Sequence, residues 1–247
     1  GCGAFLIEIV NKLNIMLKKI ETTPLSAQFN NEYRRKHFII QNNIYGIDIE
    51  PLAVYICKLR MFLSLIKTCN AGLLNNKDLI DFIKNTMKLY TAEVLTDTNS
   101  LHILKPDYKY DIVIGNPPYV DSETMKRNNP DLRKRLRKSY KSAGGNWDLF
   151  VIFIEKGFQL LHKDGYLSYI IPNKLLSASY TKALRKNCLI QKQIIEIRDY
   201  SDIKVFNSAS IYPFILITKN SKPYKEISST KMKNIKEITT EELFEII

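Results

Sequence analysis

Apolar positions along the chain alternate between helical spacing and short unbroken runs. Residues 4–20 carry apolar side chains at helical spacing and predict a first helix. An apolar run over 44–49 predicts a strand, and a helix follows from Pro51 through 65, with proline at a favourable early position. The pattern predicts a further helix over 77–90, a short strand near 92–95 and a strand over 110–115. An amphipathic helix is expected over 147–161, with Lys163-Asp164-Gly165 as its turn. Then come a strand over 166–171, a helix over 180–186, and strands over 194–198 and 212–218. Strands alternating with helices imply an α/β fold, a mostly parallel twisted sheet with helices on both faces. Beyond 219 the chain turns polar, with Pro223, and ends in an acidic-apolar stretch from Glu237. Residues 221–247 therefore read as a linker and the beginning of another region. There is no internal repeat.

The run over 110–115 reads as a buried parallel strand, and it ends in Asn116-Pro117-Pro118-Tyr119. The carboxyl end of such a strand is where open α/β sheets place their chemistry. Two consecutive prolines fix φ and bias the residue before each toward extended geometry, so this junction is nearly rigid. It offers an amide oxygen, a backbone carbonyl held in place and an aromatic face. Two acceptors can take both hydrogens of a planar amine while the ring stacks on it. The plainer alternative is a proline-rich turn after a strand. An exact four-residue match arises by chance in roughly one chain in several hundred at average residue usage, which favours the functional reading.

Composition narrows the partners. At 247 residues, 45% apolar and 25% charged, the chain can form one α/β domain, or one with a small appendage. No apolar stretch approaches a membrane span, so no membrane partner is expected. Cys2, Cys57, Cys69 and Cys188 are scattered without metal-ligand pairing, which argues for reduced cytosolic thiols and no metal site. The net charge of +12 is concentrated: Lys126, Arg127, Arg133, Lys134, Arg135, Arg137, Lys138 and Lys141 face only Asp131 between 126 and 141. Such a run is often a solvated face. Here it begins just after Tyr119, which favours a polyanionic substrate gripped through its phosphates.

Three weaker signals concern a nucleoside. Gly1-Cys2-Gly3 precedes the first helix, where glycines let a ligand approach the backbone and the helix start. Asp48, at the end of the 44–49 strand, can accept hydrogen bonds from two ribose hydroxyls. Alternatively, Asp48 or Glu50 merely caps the helix opening at Pro51. Thr98-Asn99-Ser100-Leu101 supplies polar groups where an adenine edge would sit, and by itself is indistinguishable from a loop.

In order, these segments resemble a family. Gly-Cys-Gly-Ala-Phe-Leu, Gly-Ile-Asp-Ile-Glu-Pro-Leu-Ala, Asn-Ser-Leu, Asp-Ile-Val-Ile-Gly-Asn-Pro-Pro-Tyr, Trp-Asp-Leu-Phe-Val-Ile-Phe-Ile-Glu and Ile-Ile-Pro-Asn-Lys-Leu-Leu look like adenine-specific DNA methyltransferases. The group most resembled is the methylase module of type IIG restriction–modification enzymes, and Lys204 to Pro213 also fits. The resemblance covers residues 1 to about 219. It implies a Rossmann-like core that uses S-adenosylmethionine, with Gly1 and Gly3 at the cofactor loop, Asp48 on the ribose, and Ile49 and Asn99 at the cofactor's adenine. It implies Asn116 and the Pro117 carbonyl as acceptors for the target amine, Tyr119 stacking on the base, and Phe206 as the second aromatic wall. Asp148-Leu149-Phe150 matches a helix start lining the pocket. The implied partner is double-stranded DNA with a flipped adenine, in bacterial or archaeal cytoplasm.

The family pattern opens with an acidic residue and a strand ahead of the glycine loop. This chain is therefore expected to be a fragment without its first strand, weak or inactive by itself, 1–220 being the catalytic core and 221–247 a linker and the start of a target-recognition region. A nuclease in the full-length protein is also compatible. Rival expectations are a protein glutamine methyltransferase, whose substrate amide is also a planar amine, an RNA adenine methyltransferase, and a non-catalytic DNA-binding module.

Overall fold

The computed structural model describes residues 2–20, 31–68, 82, 87–96, 109–200, 212–222 and 228–231. It divides into two units, Gly1–Pro106 and Asp107–Ile247. The predicted elements at 77–81, 83–86 and 97–108, and the candidate residues Gly1, Asn99 and Phe206, lie outside the described residues.

In the first unit, α1 (Ala4–Ile20) ends on Lys18 and Lys19, whose charges complement the carbonyl end of the helix. Helix α2 (Glu32–Asn42) starts at Asn31, whose side chain accepts the Arg34 N–H at 2.8 Å. Strand β1 (Tyr45–Asp48) leads into α3 (Pro51–Ile66), which opens with proline behind the N-cap residue Glu50. Ile39, Ile40, Met61 and Leu65 are almost fully buried and form the core between the helices. Asn14 and Arg35 lie in that core as a pair, Nε donating to Oδ1 at 2.9 Å, so neither polar group is left unsatisfied.

Strand β2 (Lys88–Thr91) pairs parallel with β1. This corrects two expectations: 88–90 is strand rather than the end of a helix, and 92–95 is not a strand. The physical reason is the period: Met87 and Leu89 are buried while Lys88 and Tyr90 are only half-buried, a two-residue alternation that suits a strand.

The second unit holds a five-stranded sheet in the order β3-β4-β6-β5-β7. These strands are β3 (Tyr110–Gly115), β4 (Leu161–Pro172), β5 (Gln193–Asp199), β6 (Pro213–Lys219) and β7 (Ser228–Lys231). Across the two sheets, β1–β2, β3–β4 and β5–β7 are parallel, and β6 runs antiparallel to β4 and β5. Strand β7 falls inside the stretch expected as linker. Among the described residues β3 is an end strand, paired only with β4, and Asp111 and Ile112 are exposed. The expectation of a buried strand is therefore corrected: every residue of β3 is half-buried or exposed, because it has a strand neighbour on one side only among the described residues.

Helix α4 (Ser122–Asn128) and α5 (Pro130–Ser139) follow β3, and α6 (Leu149–Leu160) precedes β4. Phe150, Val151, Ile152 and Ile154 are fully buried on α6, each contributing roughly 1.5–3 kcal/mol relative to exposure. Short α7 (Lys174–Ser177) and α8 (Lys182–Asn187) lie between β4 and β5. The expected turn at Lys163-Asp164-Gly165 is a bulge within β4: Tyr110 pairs with Leu161, yet Ile112 pairs with Tyr166. Asp164 takes a φ of 68° there. No described helix is long and apolar enough to cross a membrane.

Two predictions follow from this packing. A Cβ on Gly157 would lie 2.6 Å from Leu167 Cδ1 and 2.9 Å from the Tyr169 hydroxyl, so Gly157→Ala should cost about 1–3 kcal/mol by forcing α6 off β4, read as a lower urea midpoint. At the bulge, the His162 Nε2–H donates to Asp111 Oδ1 at 2.6 Å. That bond, then the Lys163 carbonyl, raises the imidazole above its ordinary value of 6.5. The resulting stability is full below the unfolded value and is lost as pH rises through the folded one. The urea midpoint should therefore fall as pH rises past the ordinary imidazole value, and Asp111→Asn should flatten that slope.

Candidate active site

The clamp residues stand where the sheet brings two strand ends together. Because β3 and β4 are parallel, Asn116 to Tyr119 and the segment after Pro172 leave the same edge of the sheet. Gly115 precedes the clamp, and a Cβ there would lie 3.4 Å from the Tyr169 ring on β4. Asn116 is exposed, Pro117 is buried, Pro118 is exposed and Tyr119 is half-buried. Among the described residues no hydrogen bond engages the Asn116 side chain, so its amide oxygen is available to an incoming donor. The Tyr119 hydroxyl donates to the Ile170 carbonyl at 3.0 Å, which fixes the ring against β4. Burial pushes the Tyr119 phenol well above its ordinary value, so it stays protonated and keeps that bond.

The chain just after the clamp is fastened by the start of α6. The Leu149 N–H donates to the Val120 carbonyl at 2.9 Å. Asp148 is buried, and its Oδ1 accepts the Ser122 N–H at 3.3 Å while its Oδ2 accepts the Tyr180 hydroxyl at 2.6 Å. A carboxylate at the amino end of a twelve-residue helix is also favoured by the helix dipole. Asp121 caps α4, and the Thr124 N–H at 2.8 Å holds its carboxyl below the usual range.

The cationic segment forms α4, α5 and the loop that follows. Leu136 is buried on α5 and Leu132 half-buried, while Lys134, Arg135, Arg137 and Lys138 are exposed. At 100° per residue those four cations share one outward face. Arg127 and Lys141 are also exposed, and Lys126 is bonded to Glu123 at 2.7 Å and to Asn146 at 3.2 Å. Arg133 differs. Its guanidinium lies 4.4 Å over the Trp147 ring, and its Nη1 and Nη2 donate to the Trp147 and Gly145 carbonyls at 3.2 and 3.0 Å. Glu155 anchors the same loop by accepting the Lys141 and Ser142 N–H groups at 3.1 and 2.8 Å.

In the first unit, Gly3 takes a φ of 79°, and a Cβ there would lie 2.2 Å from Cys57 Sγ. Only glycine lets the chain enter α1 this close to α3. Burial pushes the Cys57 thiol up. Asp48 Oδ1 accepts the Glu50 N–H at 2.9 Å, while Glu50 caps α3 through the Leu52 N–H at 3.4 Å. Of the two capping alternatives Glu50 is the one realised, and Asp48 fixes the turn that leads into it. Ile49 is 66% exposed, an apolar surface at the strand end on which a planar ring can rest. These residues fit a ribose-bearing cofactor. Among the described residues no group of three His, Cys, Asp or Glu could hold a metal.

Tyr180, Ser122 and Glu155 were not singled out from the sequence. Asp148 could be picked out as the polar residue before an apolar helix. Nothing local marks Tyr180, which acts through a fold contact thirty-two positions away.

Against known proteins, the Eco57I restriction-modification methylase family matches residues 42–206. The type II restriction enzyme and methyltransferase RM.Eco57I of Escherichia coli is 25% identical over 259 residues, covering 98% of this chain and 26% of that protein. The type II methyltransferase M.BstVI of Geobacillus stearothermophilus is 32% identical over 120 residues, 48% of this chain and 21% of its own length. The chain thus spans about a quarter of these relatives. A crystal structure from Listeria monocytogenes, assigned to the class I S-adenosylmethionine-dependent methyltransferases, superposes with a TM-score of 0.54 at 16% identity, covering 93% of this chain and 66% of that one.

Gly3→Ala should destabilise the first unit by about 1–3 kcal/mol, through left-handed strain and overlap with Cys57. Cys57→Ala in the same chain should restore part of that loss, measured as a paired shift in thermal midpoint.

Proposed function

The chain belongs to the Eco57I restriction-modification methylase family, and from that premise we propose that it methylates the exocyclic 6-amino group of adenine in DNA, using S-adenosylmethionine, within a restriction–modification or phage-defence system. The observation that carries this reading is the clamp itself: a free Asn116 amide, a carbonyl fixed at Pro117 between two rigid prolines, and a Tyr119 ring pinned at 3.0 Å to β4. That arrangement suits a planar amine.

S-adenosylmethionine, when bound, supplies a methyl group already activated by its sulfonium charge. Gly1, Gly3, Asp48, Ile49 and Asn99 are the residues proposed to hold it, Asp48 on the ribose and Ile49 against the adenine ring. The target nitrogen is a poor nucleophile because its lone pair is delocalised into the purine. Asn116 Oδ1 and the Pro117 carbonyl accept its two hydrogens, favour a pyramidal nitrogen and localise the pair. The work is positioning and electrostatics, and no strong base is required.

A base inside a duplex cannot reach this junction, so the adenine is flipped out, with Tyr119 and Phe206 stacking on its two faces. The exposed cations, Lys134, Arg135, Arg137 and Lys138 with Lys126, Arg127 and Lys141, grip the DNA backbone without reading sequence. Residues 1–220 are the catalytic core in this reading. Residues 221–247 lead into target recognition, and the complete protein works in a bacterial or archaeal cytoplasm.

Incubation of the full-length protein with methyl-labelled S-adenosylmethionine and unmethylated duplex DNA should leave label as 6-methyladenine. Asn116→Ala should lower that rate about 10²–10³-fold while leaving the fold intact, because one acceptor preorganised for the reacting nitrogen is gone. Label on protein glutamine instead of DNA would move the assignment to a different amide-directed methyltransferase.

A further inference from the structure

Arg133 sits in the middle of the cationic run but is spent inside the protein. Its neighbours Lys134, Arg135, Arg137 and Lys138 face outward, whereas its guanidinium stacks 4.4 Å over Trp147 and donates to the Gly145 and Trp147 carbonyls. Trp147 is fully buried, and the next residue is Asp148. From there, Asp148 reaches the Ser122 N–H and the Tyr180 hydroxyl, and Leu149 reaches Val120. Val120 and Ser122 directly follow the clamp residue Tyr119. A continuous set of contacts therefore runs from the outward cations of α5, through one guanidinium and one buried carboxylate, to the chain that carries the clamp.

We propose that Arg133 is a positioning residue that couples the cationic helix α5 to the Asn116–Tyr119 clamp through the Trp147–Asp148 bracket. The proposal rests on the DNA-methylation reading above. When phosphates seat on the outward face of α5, the helix cannot shift without moving the 145–147 carbonyls. The Trp147 carbonyl belongs to the peptide that joins Trp147 to Asp148, which with Leu149 fastens Val120 and Ser122. Arginine suits this place because its planar fork can bond two carbonyls and stack on an indole at once. Lysine keeps the charge but offers a single point donor with no planar face. A displacement of about 1 Å at a clamp is enough to cost on the order of 10²-fold in rate.

The charge-conserving variant Arg133→Lys separates this role from phosphate contact. Single-turnover methylation, DNA affinity over a salt series, and the emission of Trp147, the chain's single tryptophan, are read together. For Arg133→Lys we expect affinity and salt slope within about twofold of the wild type, but a methylation rate lowered about 10-fold or more. DNA should shift Trp147 emission in the wild type and fail to do so in the variant. Lys134→Ala plus Lys138→Ala, by contrast, should reduce the salt slope by about 0.9 per charge. Tyr180→Phe, a milder change at the far side of Asp148, should lower the rate without altering the slope, and serves if Arg133→Lys fails to fold. The proposal is overturned if Arg133→Lys and Tyr180→Phe keep the wild-type rate. Should the wild type bind DNA without methylating it, the enzymatic reading fails. The coupling then stands or falls on the Trp147 response alone.

Discussion

The parallel pairing of β3 with β4 is the constraint on which the second unit depends. Ile112 to Gly115 lie beside Tyr166 to Tyr169 in one register, so both strands end at the same edge. Reversing either strand would send the clamp and the segment after Pro172 to opposite ends of the sheet. Parallel strands need a long crossover, and here it comprises α4, α5, the loop to Trp147, and α6. The crossover is therefore more than a return path. It carries the cationic face, and its last helix returns Asp148 and Leu149 to the chain that immediately follows the clamp.

Rigidity at the clamp is built from both directions. The two prolines remove freedom along the backbone, and the Tyr119 hydroxyl removes it across the sheet by holding Ile170. Burial keeps that phenol protonated, and the carboxylate of Asp148 serves two donors at a helix start. What stays loose is the Asn116 amide, exposed beside fixed neighbours. A single free acceptor on a stiff frame loses little entropy when a donor arrives, which is the condition for an electrostatic site to work without rearrangement.

The cationic run shows how alike residues diverge once a helix has formed. In sequence its eight basic residues look interchangeable. On α5 the 3.6-residue repeat turns Leu132 and Leu136 toward the protein, and Arg133, adjacent to that side, is drawn to Trp147 while four others remain in solvent. Charge density alone could not have separated the one from the four.

The sequence by itself determined the rigid Asn116–Tyr119 junction after a strand, the order of most strands and helices, and the family, because these rest on local chemistry. Prolines restrict φ wherever they occur, a helix over 4–20 follows from its own spacing, and Gly3 is needed where the chain turns left-handed. The 77–90 stretch misled because Lys88–Thr91 takes its strand geometry from pairing with β1, forty-three positions earlier. Asp48 could be foreseen as either a cap or a ligand, and only the fold showed one of its oxygens accepting Glu50 while Glu50 does the capping. The tertiary structure alone decided the antiparallel β6, the Asp148–Tyr180 bond and the inward turn of Arg133. Each of these joins residues distant in sequence whose meeting depends on how the sheet and its crossover close, and no local period encodes that closure.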